Sequence, residues 1–179
     1  LQTPKGMRDI MGRDLLWFQG FAEKASEIAL YYGFDPIETP MLENESLFNR
    51  GVGAGTDIVD KEMYNLKTKG GDKLVLRPEG TAATMRAYFE HGMQSQPQPI
   101  MLYSYGPYFR HENPQKGRYR QFWQFSLEIL GSPKSIADAT VIRLMTLILN
   151  EVGLNNLNVR INNIGDRECR PAYIKELSS

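Results

Sequence analysis

The sequence predicts an α+β domain built on an antiparallel β-sheet flanked by helices, and three features carry that expectation. Two stretches with period-two patterning, residues 100–110 and 121–130, are separated only by a polar turn, so the second folds back on the first. Two others, residues 13–32 and 135–152, repeat apolar side chains every three or four positions, as amphipathic helices do. Strands and helices do not alternate strictly, which argues against a doubly wound parallel sheet.

Taken in order, the first helix presents Leu15, Phe18, Ala22, Ala25, Ile28, Ala29 and Tyr32 on one face, and Gly33 follows as a C′ glycine. GFDPIETPML is extended, because Pro36 and Pro40 cannot sit inside a helix. GVGAGT, residues 51–56, alternates glycines but lacks a strand-GxGxxG-helix context and a following GK[ST], so it reads as a loop rather than a phosphate cradle. LVLRP, residues 74–78, is a buried strand, and Thr81 is placed to N-cap a short helix, TAATMRAYFE. IMLYSYGPYFR and QFWQFSLEIL are the two patterned strands, with Asn-Pro and Lys-Gly breaking the chain between them. Ser135 and Asp138 have capping-box spacing at the start of the second long helix, and Gly153 ends it. LNVRI alternates as a last strand, and AYIKELSS opens a helix that runs to the end of the sequence, so the chain reads as part of something longer.

Composition bounds the function. Lys+Arg and Asp+Glu are both 21, so the net charge is zero and any contact with nucleic acid must come from a local basic patch. The 179 residues correspond to one domain or a portion of one, and 41% hydrophobic content excludes a mostly disordered chain. No apolar run approaches the roughly 18–20 residues that span a bilayer. The N-terminal LQTPKGMRD has no signal-peptide core, and Cys169 alone excludes an internal disulfide; a reducing, cytoplasmic location is expected.

The chemistry is concentrated in residues 110–130. On 121–130, one face carries Gln121, Trp123, Phe125, Leu127 and Ile129, a core face. The other carries Phe122, Gln124, Ser126, Glu128 and Leu130, in which side chains two residues apart lie about 7 Å from each other. That second face is either solvated sheet surface or the partly apolar floor of a small-molecule site. Between the strands, Arg110, Lys116, Arg118 and Arg120 stand against the single acid Glu112. Such a segment is either a solvated charged turn or a phosphate-recognition element, since the planar guanidinium grips phosphoryl oxygens bidentately. Neither His91 nor His111 has a partner at metal-ligand spacing, so no metal site is expected. Cys169, beside Arg167 and Arg170, reads as a helix residue rather than a nucleophile.

FRHENPQKGRYRQFWQF resembles motif 2 of the class II aminoacyl-tRNA synthetases in its histidyl-tRNA synthetase form. The resemblance extends along the chain. PKGMRDI is similar to that family's N-terminal segment, and YYGFDPIETPMLE resembles motif 1, with Pro40 at its proline. TDIVDKEMY, LRPEGTAATMRAY and INNIGDRECRPAYIKEL resemble further segments in the same order. It implies the N-terminal portion of a class II catalytic domain, a homodimer through motif 1, and activation of L-histidine by ATP and Mg2+ before transfer to the acceptor end of tRNA(His). Arg110 matches the motif 2 arginine that holds the α-phosphate and the substrate carboxylate, the catalytic role here. Glu112 and Arg118 match ATP-contacting positions, and Phe122 the aromatic that stacks on adenine. Glu79, Thr81, Gln124 and Glu128, with Arg110, match the histidine-binding set.

Each of these has a plainer reading. Glu79 is also what a helix N-terminus favours, Thr81 a cap, and Glu128 a solvated strand residue. Two departures stand out. Asn113 replaces a usual arginine and removes a positive charge from the loop, and Trp123 replaces a frequent histidine on the core face. The resemblance also implies that motif 3, with a second arginine for ATP, and the anticodon-binding domain lie outside these 179 residues, so that the piece alone has weak or no activity. Two other readings are a synthetase-like regulatory subunit of the ATP phosphoribosyltransferase type, which binds histidine without aminoacylation, and a synthetase of another specificity. The intact motif 2 set speaks against the first, and Gln124, Glu128 and RPEGT against the second.

Overall fold

The computed structural model describes residues 1–49, 62–162, 165–166 and 168–177. Helix α1 (Gly12–Tyr31) is followed by the short strand β1 (Asp35–Pro36), strand β2 (Leu42–Asn44) and the single turn α2 (Glu45–Phe48). Strands β3 (Tyr64–Lys67) and β4 (Lys73–Leu76) precede helix α3 (Thr81–Glu90). The long strands β5 (Ile100–Phe109) and β6 (Gln121–Leu130) lead to helices α4 (Ser135–Glu151) and α5 (Cys169–Leu177).

The strands form two three-stranded sheets, β1-β5-β6 and β2-β4-β3. The second is antiparallel throughout, and the first is dominated by the antiparallel β5–β6 ribbon with β1 added in parallel at its edge. Ile100 pairs with Leu130 and Phe109 with Gln121 without a bulge between them. Residues of even number from both strands therefore share one face, and those of odd number share the other.

The odd face is the core face that the alternation predicts. Phe125 and Leu127 pack with Ala25 and Ala29 of α1, Leu144 and Ile148 of α4, and Phe34. Met101, Tyr103, Tyr105 and Ile129 complete this layer, and Tyr103 stacks on Phe125 at 5.6 Å between centroids. Trp123 meets Phe18 edge-on at 5.6 Å, which places it in packing, as its core-face position implies. A smaller cluster of Phe48, Val75 and Ala82 joins the second sheet to α3. The bidentate ion pair of Arg86 with Glu43, at 2.6 and 3.1 Å, ties α3 to β2.

Four local expectations need correction or extension. Thr81 is not the N-cap of α3 but its first residue; Gly80 is the N-cap, and the Glu79 carboxylate takes the orphan N–H groups instead. The Ser135–Asp138 capping box is not made, because Lys134 occupies the N-cap and Ser135 is already helical. LNVRI forms no strand among the described residues, and Leu157, Val159 and Ile161 are exposed; alternation gives a face but cannot supply the neighbour whose N–H and C=O groups a strand requires. GVGAGT, with most of TDIVDKEMY and Arg167, lies outside the described residues.

The end of α1 behaves as its glycine predicts. Gly33 (φ +83°) donates to Leu30 O at 3.0 Å and Phe34 to Ala29 O at 3.0 Å, the two bonds of a Schellman motif. No atom lies within 4 Å of a Cβ added at Gly33, so Gly33→Ala would pay only for the left-handed backbone. The expected loss is about 1 kcal/mol, read as a lower urea midpoint with an unchanged slope; an unchanged midpoint would contradict this account of the helix end.

Candidate active site

The even face of the β5–β6 ribbon carries the candidate site. Along β6 it carries Phe122, Gln124, Ser126 and Glu128, opposite Tyr108, Gly106, Ser104 and Leu102 of β5. It is not a solvated sheet surface, because the segment from the end of β4 into α3 lies across it. Arg77, Pro78 and Gly80 are buried there, and Tyr108 is buried beneath them.

At one end stands Arg110, just past β5. Its N–H donates to Arg120 O at 2.9 Å, closing the ribbon, and its Nε donates to Pro78 O at 2.9 Å. The guanidinium carbon lies 5.3 Å from the Phe122 ring centroid, so Arg110 is laid over the floor. Glu112 lies between two cations, with Oε1 3.9 Å from Arg110 Nη1 and Oε2 3.4 Å from Arg118 Nη1. The Arg118 side chain is 67% exposed, whereas that of Arg110 is 25%. Arg118 thus faces solvent across the mouth of the site.

The turn that carries these cations is braced from both sides. Gln115 and Arg118 exchange backbone hydrogen bonds of 3.2 and 2.9 Å, and His111 N–H donates to Glu62 O at 2.7 Å. Arg120 N–H donates to Gly6 O at 2.7 Å, and Arg120 Nε to Glu112 O at 3.0 Å. A Cβ at Gly6 would come within 2.7 Å of the Arg120 stem, so the N-terminal segment closes on this arginine because residue 6 has no side chain.

At the other end are the acids. Thr81 Oγ1 donates to Glu128 Oε1 at 2.7 Å, joining α3 to β6 across 47 positions of sequence. Both oxygens of Glu79 accept N–H groups of the α3 N-terminus, from Thr81 at 2.7 Å and Ala82 at 2.8 Å. Burial pushes the Glu128 carboxyl above its ordinary value; the Thr81 hydroxyl partly offsets this and the neighbouring Glu79 charge adds to it. Gln124, between the two ends, donates through Nε2 to Ser126 Oγ at 2.9 Å, which leaves its carbonyl oxygen as the acceptor on that wall.

The structure brings the eight side chains expected from sequence into two contact groups, Arg110, Glu112, Arg118 and Phe122 at one end and Glu79, Thr81 and Glu128 at the other, with Gln124 on the strand between them. Arg110 and Phe122 are in direct contact, as are Thr81 with Glu79 and Glu128, and Glu112 with both arginines. Chemically, the arrangement offers guanidinium groups and an aromatic floor at one end, suited to a nucleotide. At the other it offers an amide and carboxylates, suited to an ammonium or imidazole N–H. Sequence reading missed Arg77 and Tyr108, and it placed Ser126 on this face without a role. A lone cation inside the apolar run LVLRP is the signal that would have found the first; for Tyr108 it is its even-numbered place on β5.

The sequence model of the histidyl-tRNA synthetase family matches residues 6–165. The histidine--tRNA ligase of Dehalococcoides mccartyi is 47% identical over 178 residues, covering 99% of this chain and 43% of that protein. The enzyme of the same name from Desulfitobacterium hafniense is 45% identical over 177 residues, covering 99% and 42%. Among solved structures, apo histidyl-tRNA synthetase of S. aureus superposes with a TM-score of 0.81 at 36% identity, over 99% of this chain and 41% of that one. A protein of Bacillus halodurans, titled ATP phosphoribosyltransferase regulatory subunit/histidyl-tRNA synthetase, gives a TM-score of 0.72 at 30% identity over 86% of this chain and 38% of its own. The chain thus spans about two fifths of the length of these relatives. With the family model matching residues 6–165 and these relatives 47% and 45% identical over 99% of its length, this chain belongs to the histidyl-tRNA synthetase family, with the α+β fold of the class II aminoacyl-tRNA synthetases.

Proposed function

We infer that the even face of the β5–β6 ribbon binds ATP and L-histidine as the N-terminal part of a histidine–tRNA ligase catalytic domain. The observation that carries this reading is the gathering of Arg110, Phe122, Gln124 and Glu128 on one wall, with Thr81 bonded to Glu128 at 2.7 Å. In the first step a histidine carboxylate oxygen attacks the α-phosphorus of ATP and the bond to pyrophosphate breaks, giving histidyl-adenylate. In the second, the terminal ribose hydroxyl of tRNA(His) attacks the histidyl carbonyl and AMP leaves.

Each residue has a task set by its surroundings. Arg110 is held by Pro78 through Nε, so its terminal nitrogens are oriented before substrate arrives. They neutralise the charge that gathers between carboxylate and phosphate in the transition state. Phe122 gives the adenine ring a face to stack on, while Glu112 and Arg118 meet the rest of ATP. Mg2+ arrives with ATP and supplies charge neutralisation on its phosphates. Glu128, Gln124 and Glu79 receive the N–H groups of histidine, and Thr81 fixes the Glu128 carboxylate. The acceptor end of tRNA(His) approaches over the 110–120 turn, and a second copy of the chain packs against motif 1 around Pro40. A cytoplasmic setting suits this reaction, and among the described residues no helix is long and apolar enough to cross a membrane.

The second reading, a histidine-binding regulatory subunit, is favoured by one observation, the likeness to the Bacillus halodurans protein. The intact set Arg110, Glu112, Arg118 and Phe122 favours the ligase, since a regulator needs no ATP wall.

Histidine-dependent ATP–pyrophosphate exchange by the complete gene product containing this sequence decides between them. Arg110→Ala is expected to reduce kcat by about 10²–10³; undiminished exchange would remove Arg110 from its role. Glu128→Gln is expected to raise the KM for histidine while leaving that for ATP in place, and equal losses for both would contradict the assignment.

The same variant has a pH signature in stability. Because the folded state raises the Glu128 pKa above 4.5, it holds that proton more tightly than the unfolded chain does. Stability therefore falls as pH rises from the ordinary carboxylate range through the raised value, and the penalty is complete above it. Glu128→Gln keeps an acceptor for Thr81 without the charge. Its melting temperature should exceed that of the wild type at pH 7–8, and the gap should close below about pH 4.5. A variant less stable than the wild type across that whole range would overturn this account.

A further inference from the structure

Arg77 is 4% exposed and lies where the site is assembled, yet it borders neither Arg110 nor Glu128 in any recorded bond. A guanidinium taken from water needs partners, and this one has three hydrogen bonds and an aromatic face. Nη1 donates to Thr39 O at 2.7 Å and to Thr39 Oγ1 at 3.1 Å, and Nε donates to Pro107 O at 3.0 Å. Its carbon lies 4.6 Å from the Tyr108 ring centroid. The main chain of the same residue adds two more ties, its N–H to Met41 O at 2.9 Å and its C=O from Phe109 N–H at 3.1 Å. One residue thus locks the segment after β1, the end of β5 and the start of the 78–81 loop together.

The seat for this side chain exists because residue 106 has no Cβ. An added Cβ at Gly106 would lie 2.5 Å from Arg77 Nη2. A second close approach follows. A Cβ at Gly80 would lie 2.6 Å from the Tyr108 hydroxyl, so the ring under Arg77 also supports the loop. Beyond that contact the loop reaches the substrate wall directly, through Pro78 O to Arg110 Nε and through Thr81 Oγ1 to Glu128.

We propose that Arg77, keyed into the side-chain-free seat at Gly106, is a positioning residue that sets the 78–81 loop and thereby aims Arg110 and Glu128. The role rests on the reading of this wall as the ATP and histidine site. Lysine cannot substitute: a single ammonium lacks the planar fork that reaches Thr39 and Pro107 together while lying flat on Tyr108. Gly106→Ala perturbs the same contact from the other side.

Amide hydrogen exchange on the protein itself tests the proposal without relying on activity. Arg77→Lys and Gly106→Ala are each expected to speed exchange at Thr81, Ala82 and Phe109 by at least tenfold, with Leu144 and Ile148 in α4 at wild-type rates. The double variant should exchange no faster than Arg77→Lys alone, because lysine has no Nη2 for the new methyl to strike. In the complete gene product, both single variants should raise the KM for histidine and lower kcat in pyrophosphate exchange, and the double should match Arg77→Lys. Wild-type amide rates in both single variants, or effects that simply multiply in the double, would overturn the proposal. Absence of histidine-dependent exchange in the wild type would overturn the proposed function instead, and the amide rates would still decide the role of Arg77.

Discussion

Two ten-residue strands paired without a bulge impose the constraint on which the rest depends. Because side chains alternate with a period of two, the register of β5 on β6 commits every odd residue to one face and every even residue to the other. The odd face buries Phe125 and Leu127 against α1 and α4, and that burial holds the ribbon in register. Phe122, Gln124 and Glu128 are thereby aligned on the opposite face without having to stabilise anything themselves. A slip of one residue would bury the acid and expose the core at once, so the packing that stabilises the fold also protects the chemistry.

The even face becomes a site only when something crosses it. The buried Arg77 and the loop after it turn an open sheet surface into a wall with two ends of opposite character. The two ends are also held differently. Arg110 is fixed through Nε by the neutral Pro78 carbonyl, with the Glu112 carboxylate 3.9 Å from Nη1. Glu128 is held by the Thr81 hydroxyl, but burial, with the neighbouring Glu79 charge adding to it, raises its pKa and leaves the acid in want of a cation. Stability is sacrificed at the point where a positively charged or N–H-bearing substrate group would restore it.

The charged turn between the strands has a similar economy. Glu112 lies within 4 Å of both Arg110 and Arg118, so neither guanidinium faces an empty site alone. Asn113 at the outer edge lowers the positive charge of the turn. Trp123 answers to a different pressure, since its ring packs on Phe18 on the far side of the sheet.

Much of this was legible in the residues. Spacing gave α1 and α4, alternation gave β5 and β6, and Gly33 marked a helix end that the structure closes as expected. The grouping of Phe122, Gln124 and Glu128 followed from counting by two. Other features were beyond sequence reading because they depend on partners distant along the chain. Thr81 is a residue type that caps helices, but its hydroxyl is drawn to Glu128; Gly80 holds the N-cap position and the Glu79 carboxylate takes the free N–H groups. LNVRI has the pattern of a strand but pairs with no strand among the described residues. Arg77 takes its place only because Thr39, Pro107, Tyr108 and the bare backbone of Gly106 close around it. Local periodicity is written in each segment and sets which side chains share a face. Which faces meet, and which buried charge they enclose, is decided only when segments 30 or more residues apart come into contact.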